Sequence, residues 1–541
     1  MKQLKKACTM WKTTITDCWR DGLSRDEQKR LLLSFGAVFL FGLAAHAYGF
    51  LRAGFSHDML NALVVEPVET YWKMQLGRPG IVLYRRTIRG LIAAPWMLGL
   101  LSLLWLSLSC FLTAKLFQIR NPLFLLLTGG ILAVNLSTIA MTATFLYEMD
   151  ANCFAILLGI FAVLLWDRGR WSGALIGALF VAACMGTYQS MVSIPITLAM
   201  LLSIAALLRG EAFHTVFRKG LRALTMLALG AILYWLAIRL MCSWKGITLA
   251  LDSYNNVSQT AELSLFERIL HTYRTWVWAF WNPAGAHIEK PVLVINILLP
   301  LFALIPLLRW LCSKEAGTAE KLLLAVLILL LPLGMNTAQL AFSMNVHELM
   351  KYAFWLFYLF CVLPGFLVLP ETRSRLPRAA AVILILLLLC ANIQTANVVY
   401  TRKNLEQNAT LSLMTRVLSR LDEKPDYHTG ETVLVLVGTS DELQKKMPGF
   451  ENTYDITGCE QSSPIEKAYA SYNYNAYAAY FRYILNNRAV MADSDTWNRM
   501  QKDPRVRAMP CFPEEGCMQM VDNVFVIKMG AKDTPVGDFA G

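Results

Sequence analysis

The chain has 541 residues, of which 56% are hydrophobic and 16% are charged, and its mean hydropathy is +0.44. These values exclude a soluble enzyme with one anchor, because segments of about 20 apolar residues, each able to cross a bilayer, recur from Leu31 to Val398. The formal net charge of +12 does not indicate nucleic-acid binding, because the basic residues lie in short tracts between apolar segments, as in cytoplasmic loops of polytopic membrane proteins.

The apolar segments predict an α-helical polytopic membrane domain over residues 31–398, with about eleven transmembrane helices. The segments are residues 31–50, 91–114, 122–141, 151–166, 172–186, 190–208, 223–243, 291–311, 322–335, 350–370 and 379–398. Residues 1–30 are too long and too charged for a cleavable signal, so we expect a retained cytoplasmic N-terminal segment.

Basic residues fall on alternate connections, as the positive-inside rule requires. Three short connections on the opposite side contain neither Lys nor Arg: residues 142–150, 187–190 and 336–349. With residues 51–90 and 243–290, they are the predicted outside loops. An odd number of spans then places everything after Val398 outside, in the periplasm.

Residues 399–541 are predicted to form a small α/β domain. Two strand-like runs, Thr432–Gly438 and Asn523–Lys528, flank a stretch in which tyrosines recur at near-helical spacing. We expect those tyrosines to pack internally rather than to stack on sugar rings. Cys511 and Cys517 could form a disulfide in an oxidising compartment.

The first outside loop carries arginines on the side where the positive-inside rule disfavours them. Arg78, Arg85, Arg86 and Arg89 therefore need an anionic partner, and the guanidinium fork matches phosphate oxygens. The alternatives are lipid headgroups or the acidic residues of the same loop.

Three acidic residues at predicted outer ends of spans are candidate catalytic residues. Asp58, directly after the first span, could act as a general base, a metal ligand or a helix-end residue. Glu148 and Asp150 precede another span, and one of them could simply cap that helix. The three acids could converge on a divalent ion, Mg or Mn, or never meet.

Five further polar residues at the same predicted face are candidates for substrate binding. They are His57, Tyr188, Gln189, His347 and Glu348. A histidine in such a loop is more often a structural hydrogen-bonding residue than a catalyst.

The order of these motifs resembles the serotype-converting O-antigen glucosyltransferases, the Gtr or glucosyl transferase type II family, within the GT-C superfamily. The resemblance rests on FSHDML and GRPGIVLYR between Phe55 and Arg85, then YEMDANCFAILLGIFAVLL, then GTYQSM, and covers about residues 31–200. One departure is His57 before Asp58, where paired acids are expected.

The resemblance implies an inverting transfer of a sugar, a glucosyl group, from a polyprenyl-phosphate donor to lipopolysaccharide O-antigen or another surface glycan. The reaction would occur at the outer face of the bacterial inner membrane. Arg78 and Arg85 or Arg86 would stabilise the leaving lipid phosphate. Asp58 would be the base, with Glu148 or Asp150 second.

Two alternatives remain open. One is a flippase or transporter of lipid-linked sugars, which predicts charges near the bilayer midplane and internal repeats. The other is a GT-C transferase with a different donor or acceptor, such as a protein or lipid A.

Overall fold

A computed structural model of the chain describes residues 23–52, 54–56, 59–60, 68–250, 263–281, 290–313, 316–341, 346–367, 375–438, 440, 447–456, 458–459 and 477–531. Its first helices are α1 (Arg25–Arg52), α2 (Val68–Gln75), α3 (Pro79–Tyr84), α4 (Pro95–Leu116), α5 (Pro122–Ala133), α6 (Leu136–Thr144), α7 (Leu146–Asp167) and α8 (Trp171–Thr187). A π-helical turn, Arg85–Arg89, follows α3, and a 3-10 helix, Gln189–Val192, follows α8.

The helices continue through the second half of the membrane domain. They are α9 (Ser193–Leu208), α10 (Phe213–Lys245), α11 (Leu265–Trp281), α12 (Lys290–Cys312), α13 (Thr318–Met335), α14 (Thr337–Ala341), α15 (Leu356–Leu367) and α16 (Arg375–Asp422). A 3-10 helix, Glu348–Trp355, leads directly into α15. Helix α11 lies within residues 243–290, so that predicted outside loop contains a helix of 17 residues.

The protein is a helical polytopic membrane protein. Eight of the described helices are long and apolar enough to cross a bilayer, or nine if α5 and α6, which meet at 42°, form one broken span. The predicted count of eleven is therefore not confirmed, although the described residues of each apolar segment lie mostly in helix. The two remaining segments are α8, with only 17 residues, and the 3-10 helix joined to α15.

Local sequence explains the break between α5 and α6. Asn135 begins α6 with a capping box, in which its side chain accepts from the Thr138 backbone N–H while the Thr138 hydroxyl accepts from the Asn135 N–H. A capping box satisfies the free donors at a helix start, so one helix ends and another begins here, inside a largely apolar segment.

Helix α7 is at the centre of the membrane bundle. It packs against α4, α8 and α9, and 72% of its most apolar stretch is buried inside the protein. The corresponding value for α10 is 17%, so most of α10 is available to lipid. The N-terminal turn of α7 is therefore held by packing on several sides, which suits a site that needs fixed geometry.

A four-stranded sheet follows α16. Its strands are β1 (Val433–Val437), β2 (Val490–Met491), β3 (Met518–Val521) and β4 (Val524–Lys528), in the order β2-β1-β4-β3. Strand β1 is parallel to β2 and β4, whereas β3 is antiparallel to β4. Strands β1 and β4 lie in the two predicted strand-like runs.

Two short helices, α17 (Ser494–Lys502) and α18 (Pro504–Ala508), complete the described part of this region. Tyr477 is buried and stacks on Trp497, with ring centroids 6.0 Å apart, so it packs internally as expected. Cys511 and Cys517 are free thiols in the structure. The division predicted at residue 399 falls inside α16, which runs without interruption for 48 residues.

A buried polar joint connects α16 to residues 447–459. Arg402 is completely buried, donates to the Thr453 hydroxyl at 2.9 Å and to the Cys459 carbonyl, and lies 4.1 Å from the centre of the Tyr454 ring. Glu406, one turn later, lies 3.4 Å from the Arg402 guanidinium and accepts from the Tyr454 hydroxyl at 2.8 Å. These bonds fix the segment against the helix.

The same segment contacts the end of the membrane bundle next to α7. The Thr144 hydroxyl, at the last residue of α6, donates to the carbonyl of Gly458. Residues of the C-terminal region thus lie beside the N-terminal turn of α7.

Candidate functional site

Three cationic side chains converge on Glu148 in the first turn of α7. Lys73 forms an ion pair with Glu148, and the guanidinium nitrogens of Arg85 and Arg78 lie 3.6 and 4.0 Å from its carboxylate oxygens. These four side chains, called the Glu148 cluster below, are between 5 and 13% exposed. Three cations and one carboxylate leave a formal excess of two positive charges, so the cluster attracts a further anion.

The GRPG motif positions Arg78. Gly77 adopts φ +70°, a left-handed conformation that glycine reaches without steric cost, and Pro79 then starts α3 with Arg78 as its N-cap residue. At Gly80 a Cβ atom would lie 2.6 Å from the Thr187 hydroxyl oxygen. Only glycine therefore lets α3 approach the end of α8 this closely.

Besides Glu148, Arg78 contacts Tyr188 and Gln189. The guanidinium of Arg78 lies 4.6 Å from the centre of the Tyr188 ring, and its Nε donates to the Gln189 side-chain oxygen at 3.2 Å. The Gln189 amide nitrogen donates to the Leu76 carbonyl at 2.7 Å and to the Tyr234 hydroxyl at 3.0 Å. The structure thus brings both predicted substrate-binding residues of this connection to the cluster.

Asp150 has a different environment, although it lies two residues after Glu148. Its carboxylate is 3.2 Å from the Arg89 guanidinium, and both side chains are completely buried. Arg89 also donates to the Tyr147 carbonyl at 2.7 Å. Burial lowers the pKa of Arg89, and the Asp150 carboxylate opposes that shift. Asp150 is therefore half of a fully buried ion pair with Arg89.

The Tyr147 ring lies between the two ionic groups. The guanidinium carbons of Arg85 and Arg89 are 4.6 and 4.4 Å from its centre, within the range of favourable cation–π contacts. Tyr147 thereby fixes Arg85 in the Glu148 cluster and Arg89 in the buried pair.

The remaining predicted site residues do not join the cluster. Arg86 is exposed, so of the two adjacent arginines only Arg85 reaches Glu148. Glu348 is not part of the Glu148 cluster, because its carboxylate pairs with the Lys351 ammonium group at 2.6 Å. The ring of His347 lies edge-on to Phe145, with centroids 6.5 Å apart.

His57 and Asp58 lie outside the described residues. Their described neighbour Ser56 donates its hydroxyl to the Thr144 carbonyl at 2.5 Å, and the Met59 N–H donates to the Ser56 oxygen at 3.3 Å. The chain around Ser56 is therefore attached to the end of α6, where α7 is about to begin.

The sequence interpretation missed Lys73 and Arg89 as site residues. Both lie in the first outside loop, and their distance in sequence from Glu148 and Asp150 gives no signal of the pairing. The only available signal was that buried acids at a span end need cationic partners.

The described acids do not form a metal site. Within the described ranges, no group of three or more His, Cys, Asp or Glu side chains could hold a metal ion. Glu148 contacts three cations and Asp150 pairs with Arg89, and these positive charges would repel Mg or Mn. Because Asp58 is outside those ranges, a divalent ion stays a prediction.

The family model for glucosyl transferase GtrII matches residues 48–369. Neither the curated proteins nor the solved structures contain a match to the chain. The matched range is more than half of the chain and includes the whole Glu148 cluster together with Tyr147, Tyr188 and Gln189. The chain therefore belongs to the glucosyl transferase GtrII family.

Proposed function

We propose that this protein transfers a glucosyl group from a polyprenyl-phosphate donor to lipopolysaccharide O-antigen, or to another surface glycan. The reaction takes place at the outer face of the bacterial inner membrane, with the N-terminus in the cytoplasm and the C-terminal region in the periplasm. The observation that carries the proposal is the convergence of Lys73, Arg78 and Arg85 at the first turn of the central helix.

The leaving group of such a donor is a lipid phosphate, which needs positive charge rather than protonation. The Glu148 cluster supplies that charge in a nearly buried setting, where electrostatic interactions are stronger than in water. Two of its three cations are arginines, whose planar fork matches phosphate oxygens in pairs. The first turn of α7 adds the positive end of a helix dipole.

Glu148 organises the cations and is not the base. A carboxylate in contact with three cations is held ionised, and its oxygens are directed at those cations rather than at an acceptor hydroxyl. Without it, the like charges of Lys73, Arg78 and Arg85 would separate before the donor arrives.

Asp58 is the candidate base. It follows Ser56 by two residues, and Ser56 is bonded to the last residue of α6, four residues before Glu148. A single base and direct displacement of the phosphate by the acceptor hydroxyl give inversion at the anomeric carbon.

The bilayer supplies the path for the lipid part of the donor. Helix α10 places Tyr234 at the cluster, hydrogen bonded to Gln189, while the adjacent Trp235 and the later Leu240 are exposed on its outer side. A polyprenyl chain can therefore remain in lipid while its phosphate reaches the cations.

The test is glucosyl transfer by the purified protein from radiolabelled polyprenyl-phosphate glucose to isolated lipopolysaccharide. Arg78→Gln and Arg85→Gln should each reduce transfer by ~10²-fold or more, the usual loss when one charge-stabilising group is removed. Arg86→Gln is the matched control, because Arg86 is adjacent to Arg85 but exposed, and it should retain transfer. Asp58→Asn should abolish transfer.

Two outcomes would reject the proposal. Equal transfer by all three arginine variants, at equal thermal stability, would remove the phosphate-binding role of the cluster. Movement of lipid-linked sugar between liposome leaflets, without transfer by the wild type, would favour a flippase instead.

A further inference from the structure

A fully buried polar residue lies one helical turn below the Glu148 cluster. Asn152 on α7 is 0% exposed, and among the described residues neither its amide nitrogen nor its amide oxygen has a hydrogen-bond partner. A buried side-chain amide without partners is destabilising, because it has lost its bonds to water. Such a group in a well-packed helix needs an explanation.

The helix geometry relates Asn152 to Glu148. An α-helix turns about 100° per residue, so Glu148, Asn152 and Gly159 lie within ~40° of one another around the axis. Four residues rise by about 6 Å along the axis. Asn152 therefore lies about one turn beneath Glu148 on the same side of α7.

That side of α7 faces the connection that carries Gln189. A Cβ atom at Gly159 would lie 3.0 Å from Pro195 of α9, so this stripe packs towards α9. The 3-10 helix Gln189–Val192, immediately before α9, also packs against α7. Asn152 thus lies on the side of α7 closed by the same short helix whose first residue holds Arg78.

The 3-10 helix carries a second polar group of the same kind. The Ser190 side chain is 6% exposed, and its hydroxyl has no hydrogen-bond partner among the described residues. Gln189 contacts Arg78 of the Glu148 cluster. The next residue, Ser190, has a hydroxyl that makes no hydrogen bond with the described residues.

The chemistry of the two groups differs from that of the cluster above them. An amide and a hydroxyl both donate and accept hydrogen bonds and carry no charge. They suit the hydroxyls of a neutral sugar, whereas Lys73, Arg78 and Arg85 suit a phosphate. In a sugar phosphate the ring is attached directly to the phosphate, so its hydroxyls lie within one ring of the phosphate-binding site.

We infer that Asn152 and Ser190 form a recognition site for the hydroxyls of the donor sugar, beneath the phosphate-binding cations. The inference rests on the proposed function for the identity of the donor. It assigns the two residues to specificity, because a site built to hydrogen-bond a hydroxyl rejects an analogue that lacks it.

The first test separates recognition from stability. Asn152→Leu replaces the amide by an apolar group of similar volume, so the midpoint of thermal unfolding should stay equal or rise. Transfer from polyprenyl-phosphate glucose should nevertheless fall by about tenfold or more, mainly through a higher KM for the donor. Ser190→Ala should do the same to a smaller extent.

The matched control is Ser109→Ala. Ser109 on α4 is also fully buried, and its hydroxyl also has no hydrogen-bond partner among the described residues, but α4 carries no residue of the Glu148 cluster. Its loss should leave transfer unchanged. Full transfer by both Asn152→Leu and Ser190→Ala would overturn the inference; if Asn152→Leu does not fold, Ser190→Ala alone decides.

A second measurement, the shift of the unfolding midpoint on donor binding, tests which donor sugar is recognised. It does not require transfer activity. Polyprenyl-phosphate glucose should raise the unfolding midpoint of the wild type, and the shift should shrink in Asn152→Leu. Donors lacking single hydroxyls should lose this effect with the wild type but differ little from glucose with the variant. A variant that discriminates these donors as the wild type does, but responds differently to altered acceptor glycans, would reject the donor assignment. A shift that depends on Asn152 in a protein unable to transfer would reject the proposed function and retain this site.

Discussion

Glu148 and Asp150 lie two residues apart on α7, yet the structure gives them different ionic environments. Glu148 contacts three cations in a nearly buried site with an excess of positive charge, whereas Asp150 faces one arginine and both partners are completely enclosed. The difference shows that an acid at the end of a membrane span is not in itself a catalytic candidate. On the proposed function, an acid that faces several cations organises a binding cluster, whereas an acid paired with one buried cation stabilises the fold.

The largest effect should come from breaking the enclosed pair. Arg89→Ala leaves Asp150 buried without its partner, which typically costs about 3–5 kcal/mol. We expect a strongly lowered unfolding midpoint and poor yield of folded protein, measured by thermal unfolding in detergent. Arg86→Ala, three residues earlier and exposed, is the control.

A paired substitution distinguishes a structural role from a catalytic one. The double variant Arg89→Met with Asp150→Leu removes both charges and should recover most of the lost stability. If the double variant is stable but inactive, Asp150 or Arg89 contributes to transfer directly, and the contrast with Glu148 fails.

The next effect concerns Glu148. Glu148→Gln keeps the side-chain volume but removes the charge that holds Lys73, Arg78 and Arg85 together. Transfer should fall by ~10²-fold, comparable to the loss of one charge-stabilising group. The unfolding midpoint should change less than in Arg89→Ala, because the cluster is not fully enclosed. A variant with normal transfer would show that the cations hold their positions without Glu148.

The smallest effect should come from a substitution in an exposed ionic group. This group provides a surface counterpart to the two buried ones. Arg505 donates to Asp503 at 2.7 Å and to Asp522 at 2.5 Å, and hydrogen bonds from Arg505 lower the pKa of Asp503 to about 2. Because the folded pKa is below the unfolded value near 3.8, the stabilisation is present above pH 4 and is lost as the pH falls towards 2.

Asp503→Asn tests this without loss of the helix cap, since Asn also caps helix starts well. We expect only a slight decrease in the unfolding midpoint at pH 7, because solvent and salt screen such pairs. The difference from wild type should narrow between pH 4 and pH 2. A decrease in the unfolding midpoint as large as that of Arg89→Ala would contradict the expectation that an ion pair matters more for stability when it is buried.

Much of the fold follows from the sequence, because hydropathy and period are local properties. Within the described residues, each of the eleven apolar segments lies mostly in helix, and the runs around Val435 and Val526 form adjacent strands. What the sequence did not reveal depends on tertiary contacts. The break at Asn135 separates two apolar helices, and α16 continues through the point where its composition becomes polar.

The site shows the same limit. Positive-inside analysis selected the loop and its arginines, but it could not choose between Arg85 and Arg86. These residues are adjacent, so their side chains point in different directions: Arg85 reaches Glu148, whereas Arg86 is exposed. Arg89 is one of the loop arginines, but the pairings of Arg89 with Asp150 and of Lys73 with Glu148 could not be predicted, because the partners lie about 60 to 75 residues apart in sequence. Such pairings are set by how α3 and the π-helical turn dock on α7.

The length of α16 has a mechanical consequence. At 1.5 Å per residue, its 48 residues extend for about 72 Å, more than twice the ~30 Å hydrocarbon thickness of a bilayer. The membrane end and the end that leads into β1 belong to one rod, and Arg402 joins residues 453–459 to that rod midway. Any tilt of the transmembrane part, for instance in a bilayer of different thickness, therefore moves the distal end by a distance that grows along the rod. Membrane thickness and the position of the C-terminal sheet are thus mechanically linked.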